Sequence, residues 1–300
     1  MDALKVVEAV IIFFGIWINV LFAFALYVRP LRSITTTLVL RNQSIYDCFV
    51  CLCTFLSLIL PQFQKSTNNG VLDFICCNLW TSQYIQYLFL MASTQNVVCT
   101  TADRYMAVLR PFVYRLNQKK YITAMYIYIA IVSIIIPIPK WFEVKMFNET
   151  CIFEKSIASS SLNIFQNVYS IFWAFMIYVF PSIYFCIVYW KVIVKLRCLI
   201  NPNVKKGSAN AHVSIAKNVT IAIFFVTAVY VATYTFDTSI YILDQWRIIP
   251  PINGTTIDII KTFILTMNSM INPEMYFCLL KPIRYRILSL FLPDYIHKFT

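Results

Sequence analysis

Glycine is almost missing from this chain, with four in 300 residues. That excludes Gly-rich linkers and collagen-like repeats, and the lack of any low-complexity tract argues against a disordered protein. Charge is equally scarce at 13% of residues, about half the share soluble domains carry. Only two histidines occur, His212 and His297. With neither a metal-ligand cluster nor a nucleophile constellation, the sequence is not expected to be an enzyme. Acids number 13 against 25 bases, a net charge of +12. The bases sit in short stretches between apolar runs, so the excess does not describe a nucleic-acid surface.

What is abundant is apolar, 60% hydrophobic and 17% aromatic residues. The apolar runs recur along the whole length, each with the ~20 residues that cross a bilayer. They predict helices over about 6–28, 34–60, 77–109, 121–141, 163–196, 213–243 and 255–280, then an amphipathic helix at about 282–292. The expected fold is an all-α membrane protein, one seven-transmembrane helix bundle over residues 1–300 with a short eighth helix at the interface. Pro137 and Pro139 should bend the outer end of the fourth helix, and Pro181 lies within the fifth. Most cysteines, such as Cys48, Cys51, Cys53, Cys99 and Cys186, fall inside the runs and act there as small hydrophobes. The opening stretch carries Lys5 and Glu8 and does not read as a cleavable signal peptide, so the first helix is expected to direct its own insertion.

Basic residues in short loops mark the cytoplasmic side of a membrane protein. With the N-terminus outside, eighteen Lys and Arg fall in inner loops and the tail, and seven fall outside. This predicts a multi-pass plasma-membrane protein with an extracellular N-terminus and a cytoplasmic C-terminus, its surroundings the lipid bilayer. Sequons at Asn148 and Asn253 lie in outer loops, where glycosylation occurs. Those at Asn42 and Asn218 lie in spans or at the inner face and should stay unmodified.

Polar side chains inside a span are costly without partners and for that reason point to function. Asp103 and Arg104 close the third run, followed by Tyr105, Ala107-Val108 and Pro111. Asp47 sits in the middle of the second run, and Asn19 in the first. Ser93 and Asn96 lie in the third run, and Asn268, Ser269, Asn272, Pro273 and Tyr276 in the seventh. Asn268 and Asn272 are four apart and share a helix face. Asp47, Ser93, Asn268 and Asn272 together suit a hydrated pocket around a small cation, sodium being the one expected metal. The plainer reading makes Asp47 a structural hydrogen-bond hub.

Asp103-Arg104-Tyr105-x-Ala107-Val108-x-x-Pro111 resembles the end of the third helix in rhodopsin-like G-protein-coupled receptors. Asn272-Pro273-x-x-Tyr276 is similar to the signature closing their seventh helix. Asp47, Asn19 and the Pro181/Tyr189 pair fall where that family keeps comparable residues, and Lys281 to Phe291 matches its eighth helix. The resemblance covers nearly the whole chain. It implies that Asp103 holds Arg104 at rest and that a freed Arg104 meets a heterotrimeric G protein, with Tyr189 and Tyr276 at the same inner face. It also implies an outer disulfide from Cys77 to Cys151, with Cys76 open as the alternative to Cys77. There are departures. The sixth helix has Tyr230, Thr233, Tyr234 and Phe236 in place of the family's Phe-x-x-Cys-Trp-x-Pro, so it lacks the usual proline kink, and the fourth-helix tryptophan is absent. Ala216 and Lys217 stand where some members carry an acid, which leaves Asp103 to hold Arg104 alone.

The same resemblance bears on the ligand. Gln86 occupies the place of the amine receptors' aspartate, and Thr266 that of the retinal-binding lysine, with Lys261 more than a turn away. Neither an amine nor retinal is expected. Gln83, Tyr84, Gln86, Tyr87, Tyr234, Asp237, Tyr241 and Lys261 form an aromatic and polar outer surface suited to an extracellular peptide. In the competing account, Asp237 pairs with Lys261 and offers a ligand nothing. A seven-span transporter or channel component is the alternative function; it calls for internal repeats, and the two halves show none.

Overall fold

The computed structural model describes residues 3–31, 33–60, 69–147, 150–153, 160–199, 209–250, 252 and 255–291. The sequon asparagines Asn148 and Asn253 lie outside these residues. The chain forms a seven-transmembrane bundle. Its spans are α1 (Ala3–Val28), α2 (Ile34–Ile59), α4 (Tyr84–Leu109), α6 (Gln118–Ile135), the pair α7 (Ser160–Ala174) and α8 (Phe180–Leu199), α9 (Ala209–Gln245) and α10 (Thr256–Leu279). Short helices α3 (Gly70–Phe74) and α5 (Pro111–Leu116) precede and follow α4, and α11 (Lys281–Phe291) closes the described chain. Ile283 and Ile287 of α11 are buried while Tyr285 is half exposed, the two-sided pattern of an interfacial helix.

Five segments are long and apolar enough to cross a membrane on composition alone: Lys5–Val28, Ile34–Ile59, Gln118–Trp141, Ile164–Arg197 and Thr220–Gln245. Their outward faces carry bulky apolar groups such as Phe14, Trp17 and Trp190. Helices α4 and α10 are long enough, at 26 and 24 residues, or roughly 39 and 36 Å. Their composition is too polar because they face the interior. Helix α4 packs on α2, α6, α8 and α9, and α10 on α1, α2 and α9.

The third span departs from the unbroken helix expected over 77–109. The Asn69 side chain caps α3 by accepting from the amides of Val71 (3.1 Å) and Leu72 (3.3 Å). The chain then winds as a π-helix over Ile75–Thr81 and turns at Gln83, whose φ of 60° is left-handed. Only after that turn does α4 begin. A disulfide joins Cys77 to Cys151, and Cys76 is free. Cys151 lies on strand β2 (Thr150–Phe153), which pairs antiparallel with β1 (Val144–Phe147). The bond therefore clamps a small hairpin over this end of the bundle. The fourth span also ends early. Pro137 and Pro139 interrupt it after Ile135, and a 3-10 turn over Ile138–Glu143 follows.

Two other prolines free backbone carbonyls, since proline has no N–H to give the residue four back. Pro181 denies Ile177 O, within the π-helical Phe175–Val179, its donor from four residues on, and the Tyr230 hydroxyl of α9 donates to it. Pro273 does the same to Ser269 O in α10, and Asn19 Nδ2 of α1 donates there at 3.2 Å. Asn19 also donates to Gly15 O at 3.0 Å. Helix α9 runs 37 residues with no proline inside it, four residues longer at its start and two at its end than the expected 213–243.

Gly15 is the close-approach point between α1 and α10. A Cβ there would stand 2.6 Å from Met270 Cγ, well inside van der Waals contact. Gly15→Leu should therefore force the helices apart and lower stability by about 1–3 kcal/mol, read as a lower thermal midpoint of the purified protein. Met270→Ala in the same chain should recover part of that loss. If the double variant is no more stable than Gly15→Leu, the crowding account is wrong.

Candidate functional site

Helix α4 carries buried polar side chains at successive levels, and each level recruits a different set of neighbours. At its C-terminal end Asp103 is wholly buried and Arg104 nearly so, at 7% exposure. Arg104 Nε donates to Asp103 Oδ2 at 3.0 Å, and Nη2 donates to the same oxygen and to Thr36 Oγ1. Thr36 Oγ1 in turn donates to Ser33 Oγ at 2.9 Å, and Ser33 caps α2. The Tyr114 hydroxyl of α5 donates to Asp103 Oδ1. Burial and the neighbouring Asp103 carboxylate push that hydroxyl up to about 12, so it keeps its proton at neutral pH. Asp103 thus does not hold Arg104 alone: Thr36 supplies a second acceptor, and Tyr114 braces the carboxylate. Neither signal stands out in sequence, because both depend on where α2 and α5 abut α4.

The other residues expected at this end are placed around the pair without bonding it. Tyr105 packs toward Val188, Val192 and Leu196 of α8, with Lys191 Nζ 6.0 Å from its ring centroid. Tyr189 meets Phe224 edge to face at 5.5 Å, and Tyr276 lies 5.9 Å from Phe22 of α1. Among the described residues, no hydrogen bond joins Tyr189 or Tyr276 to Arg104.

At the middle level Asp47 is fully buried and accepts from three helices. Ser93 Oγ donates to Oδ1 at 2.6 Å; Asn272 Nδ2 and Gln43 Nε2 donate to Oδ2 at 2.8 and 3.0 Å. Gln43 Nε2 also reaches Ser93 Oγ at 2.6 Å, while its Oε1 accepts from Asn96 Nδ2 at 2.8 Å. Three of the four residues expected to hold sodium are brought together. The fourth, Asn268, has its Oδ1 buried without a partner, as does Asn272 Oδ1. Such oxygens are the donors a small hard cation takes. Gln43, four residues before Asp47 and not singled out in the sequence, presents amide protons to the same carboxylate. A cation and the Gln43 amide would compete for one seat.

The opposite end of the bundle groups most of the expected ligand residues around a lysine the sequence reading did not single out. Lys140 is 5% exposed and donates to both oxygens of Glu143 at 2.9 Å. It also lies 4.6 Å from the Tyr87 ring centroid and 5.1 Å from that of Tyr241. Lys261 Nζ stands 3.8 Å from Asp237 Oδ1, so the internal pair is formed. Tyr234 sits deeper, its ring tilted against that of Tyr230 with centroids 4.2 Å apart and its hydroxyl sharing a hydrogen bond with Thr94 at 3.1 Å. Tyr84 OH donates to Ile134 O at 3.0 Å, a packing role. Two residues leave the group. Gln86 Nε2 is engaged by Thr54 Oγ1 at 3.0 Å, and Gln83 lines a separate cavity between α1, α2 and α10.

Compared with known proteins, the chain matches the family model of the 7 transmembrane receptor (rhodopsin family) over residues 3–276. No curated protein matches it.

A cation held at Asp47 would have to displace the Gln43 amide, which gives the sodium expectation a direct test. Gln43→Met keeps the side chain's length and removes its amide protons. Thermal midpoints of the purified protein should be followed in sodium against a large organic cation at equal ionic strength. The variant should gain about tenfold in apparent sodium affinity over the unmutated protein, the order expected when one hydrogen-bonded competitor is removed. Equal sodium responses in both proteins would mean the amide does not contend for the site.

Proposed function

The chain belongs to the rhodopsin family of seven-transmembrane receptors, and from that premise we propose that it passes a signal from an extracellular peptide to a heterotrimeric G protein. In this reading the disulfide end faces outside and the Arg104 end faces the cytoplasm. The basic-residue bias, eighteen inside against seven outside, supports it. The observation that carries the reading is the buried Asp103–Arg104 pair with Thr36 and Tyr114 bonded to it. A charge pair buried at the end of a span is costly to keep, and it is useful when one partner can be released. Beside it, between α8 and α9, lies an apolar cavity of about 320 Å³ lined by Tyr189, Ile193, Leu196 and Phe224 among others. A released Arg104 together with this apolar wall suits the amphipathic face of a G-protein helix.

For the ligand, the outer aromatic group around Tyr87, Tyr241 and Trp173 favours side chains of a peptide. Nine acids lie on the outer side, Asp2, Glu8, Asp73, Glu143, Glu149, Glu154, Asp237, Asp244 and Asp258, against seven bases. That excess favours a cationic peptide, drawn in by a long-range field that salt weakens. Asp237 and Lys261 at 3.8 Å make a loose pair, one that an incoming cation can displace.

At equal surface expression, Arg104→Ala should abolish G-protein activation in a nucleotide-exchange assay. Asp103→Asn should raise basal exchange. Tyr114→Phe should raise it less, since it removes one hydrogen bond to a charged group, worth roughly 1.5–3 kcal/mol. Full activation by the Arg104→Ala protein would sink the coupling proposal.

The ligand proposal has its own test. If Asp237→Asn keeps surface expression and loses response to basic peptides only, the carboxylate is a ligand contact. If Asp237→Lys with Lys261→Asp restores folding and potency together, the pair is structural and the ligand must be held elsewhere.

A further inference from the structure

A cavity of about 160 Å³ opens at the disulfide end between α1, α2, α10 and the π-helical segment before α4. Lys5, Glu8, Ser57, Trp80, Gln83 and Asp258 contribute to its walls. Glu8 is 2% exposed, and neither of its carboxylate oxygens has a hydrogen-bond partner. A buried carboxylate in that condition is costly unless something is meant to meet it.

The lining specifies what that something is. A carboxylate only accepts hydrogen bonds when ionised. Two of the hydroxyl protons nearby are already spent: Ser57 Oγ donates to Thr54 O at 2.7 Å, and Thr81 Oγ1 to Cys76 O at 3.0 Å. The charged lining is two carboxylates, Glu8 and Asp258, against one ammonium, Lys5. Trp80 and Gln83 bring N–H donors to the same walls, but the carboxylate of Glu8 is the buried charge left without a hydrogen bond, and its complement is a positive group with N–H donors.

We propose that this cavity is a seat for a guanidinium or primary ammonium group, with Glu8 as its counter-ion. It is separate from the Tyr87–Lys140–Tyr241 cluster, lying on the α1 and α2 side of α4. Such a group can come from a basic side chain of a peptide or from a free small cation. The seat rests on the reading that this end faces the ligand, but not on coupling at the Arg104 end.

The test uses the purified full chain in detergent and reads its thermal midpoint, which needs no G protein. Three probes are titrated: methylguanidinium, its neutral isostere methylurea, and the capped tripeptide acetyl-Gly-Arg-Gly-amide. Methylguanidinium and the tripeptide should raise the midpoint saturably, and methylurea should not. The tighter of the two cations identifies the source. Glu8→Gln, the same shape without the charge, should weaken both by about tenfold or more, as loss of a charge-assisted hydrogen bond does. Added salt should also weaken both in the unmutated protein. If Glu8→Gln does not yield folded protein, Asp258→Asn is read instead, with a smaller loss expected. No saturable shift with either cation overturns the proposal. So does an equal shift with methylurea, or a shift that both carboxylate variants leave intact. Loss of G-protein activation elsewhere would leave this result unchanged, so the two failures can be told apart.

Discussion

A bilayer core offers no water, so every polar group in a span must find its partner inside the protein. That constraint organises this bundle. Where Pro181 and Pro273 strip a carbonyl of its helical donor, a side chain from another helix takes over, Tyr230 in one case and Asn19 in the other. Where α2 buries Asp47, three donors from α2, α4 and α10 converge on it. These bonds are the points at which helices are pinned to one another. The apolar packing between them supplies contact without fixing which helix faces which.

The Asp103–Arg104 pair obeys the same rule at the edge of the membrane. Thr36 and Tyr114 are drawn in because an ion pair away from water leaves donors and acceptors still to satisfy. The result is that α2, α4 and α5 share one network, although only the α4 residues announce themselves in the sequence. Freeing Arg104 would therefore require a change in three elements rather than in one side chain.

How much was legible follows from this. Apolar runs gave seven spans, and α11 kept its two-sided pattern. The motifs add most at α4 and α10, whose inward-facing polar residues make them less apolar than the other five spans. The break before α4 was not legible: it depends on a π-helical winding and a left-handed Gln83, and nothing in Ile75-Cys76-Cys77-Asn78 demands either. Asp47 was visible, whereas Gln43 was not, because a glutamine one turn away is ordinary until Ser93 and Asn96 are seen on the facing helix. Lys140 falls at the outer end of the expected fourth helix and counts there only as one of seven outer bases. Its burial against Glu143, Tyr87 and Tyr241 depends on how the early end of α6 folds inward.

Helix α9 has no proline in its 37 residues, which makes it mechanically a rod of roughly 55 Å. Near its middle it is bonded to two neighbours, by Tyr230 to Ile177 in the π-helical turn before α8 and by Tyr234 to Thr94 of α4. About 35 Å of helix lies on the Arg104 side of that point and about 20 Å on the disulfide side. Such a rod works as a lever with unequal arms. Each ångström of travel at the short arm becomes nearly two at the long one, and no bend in the backbone is required to amplify it.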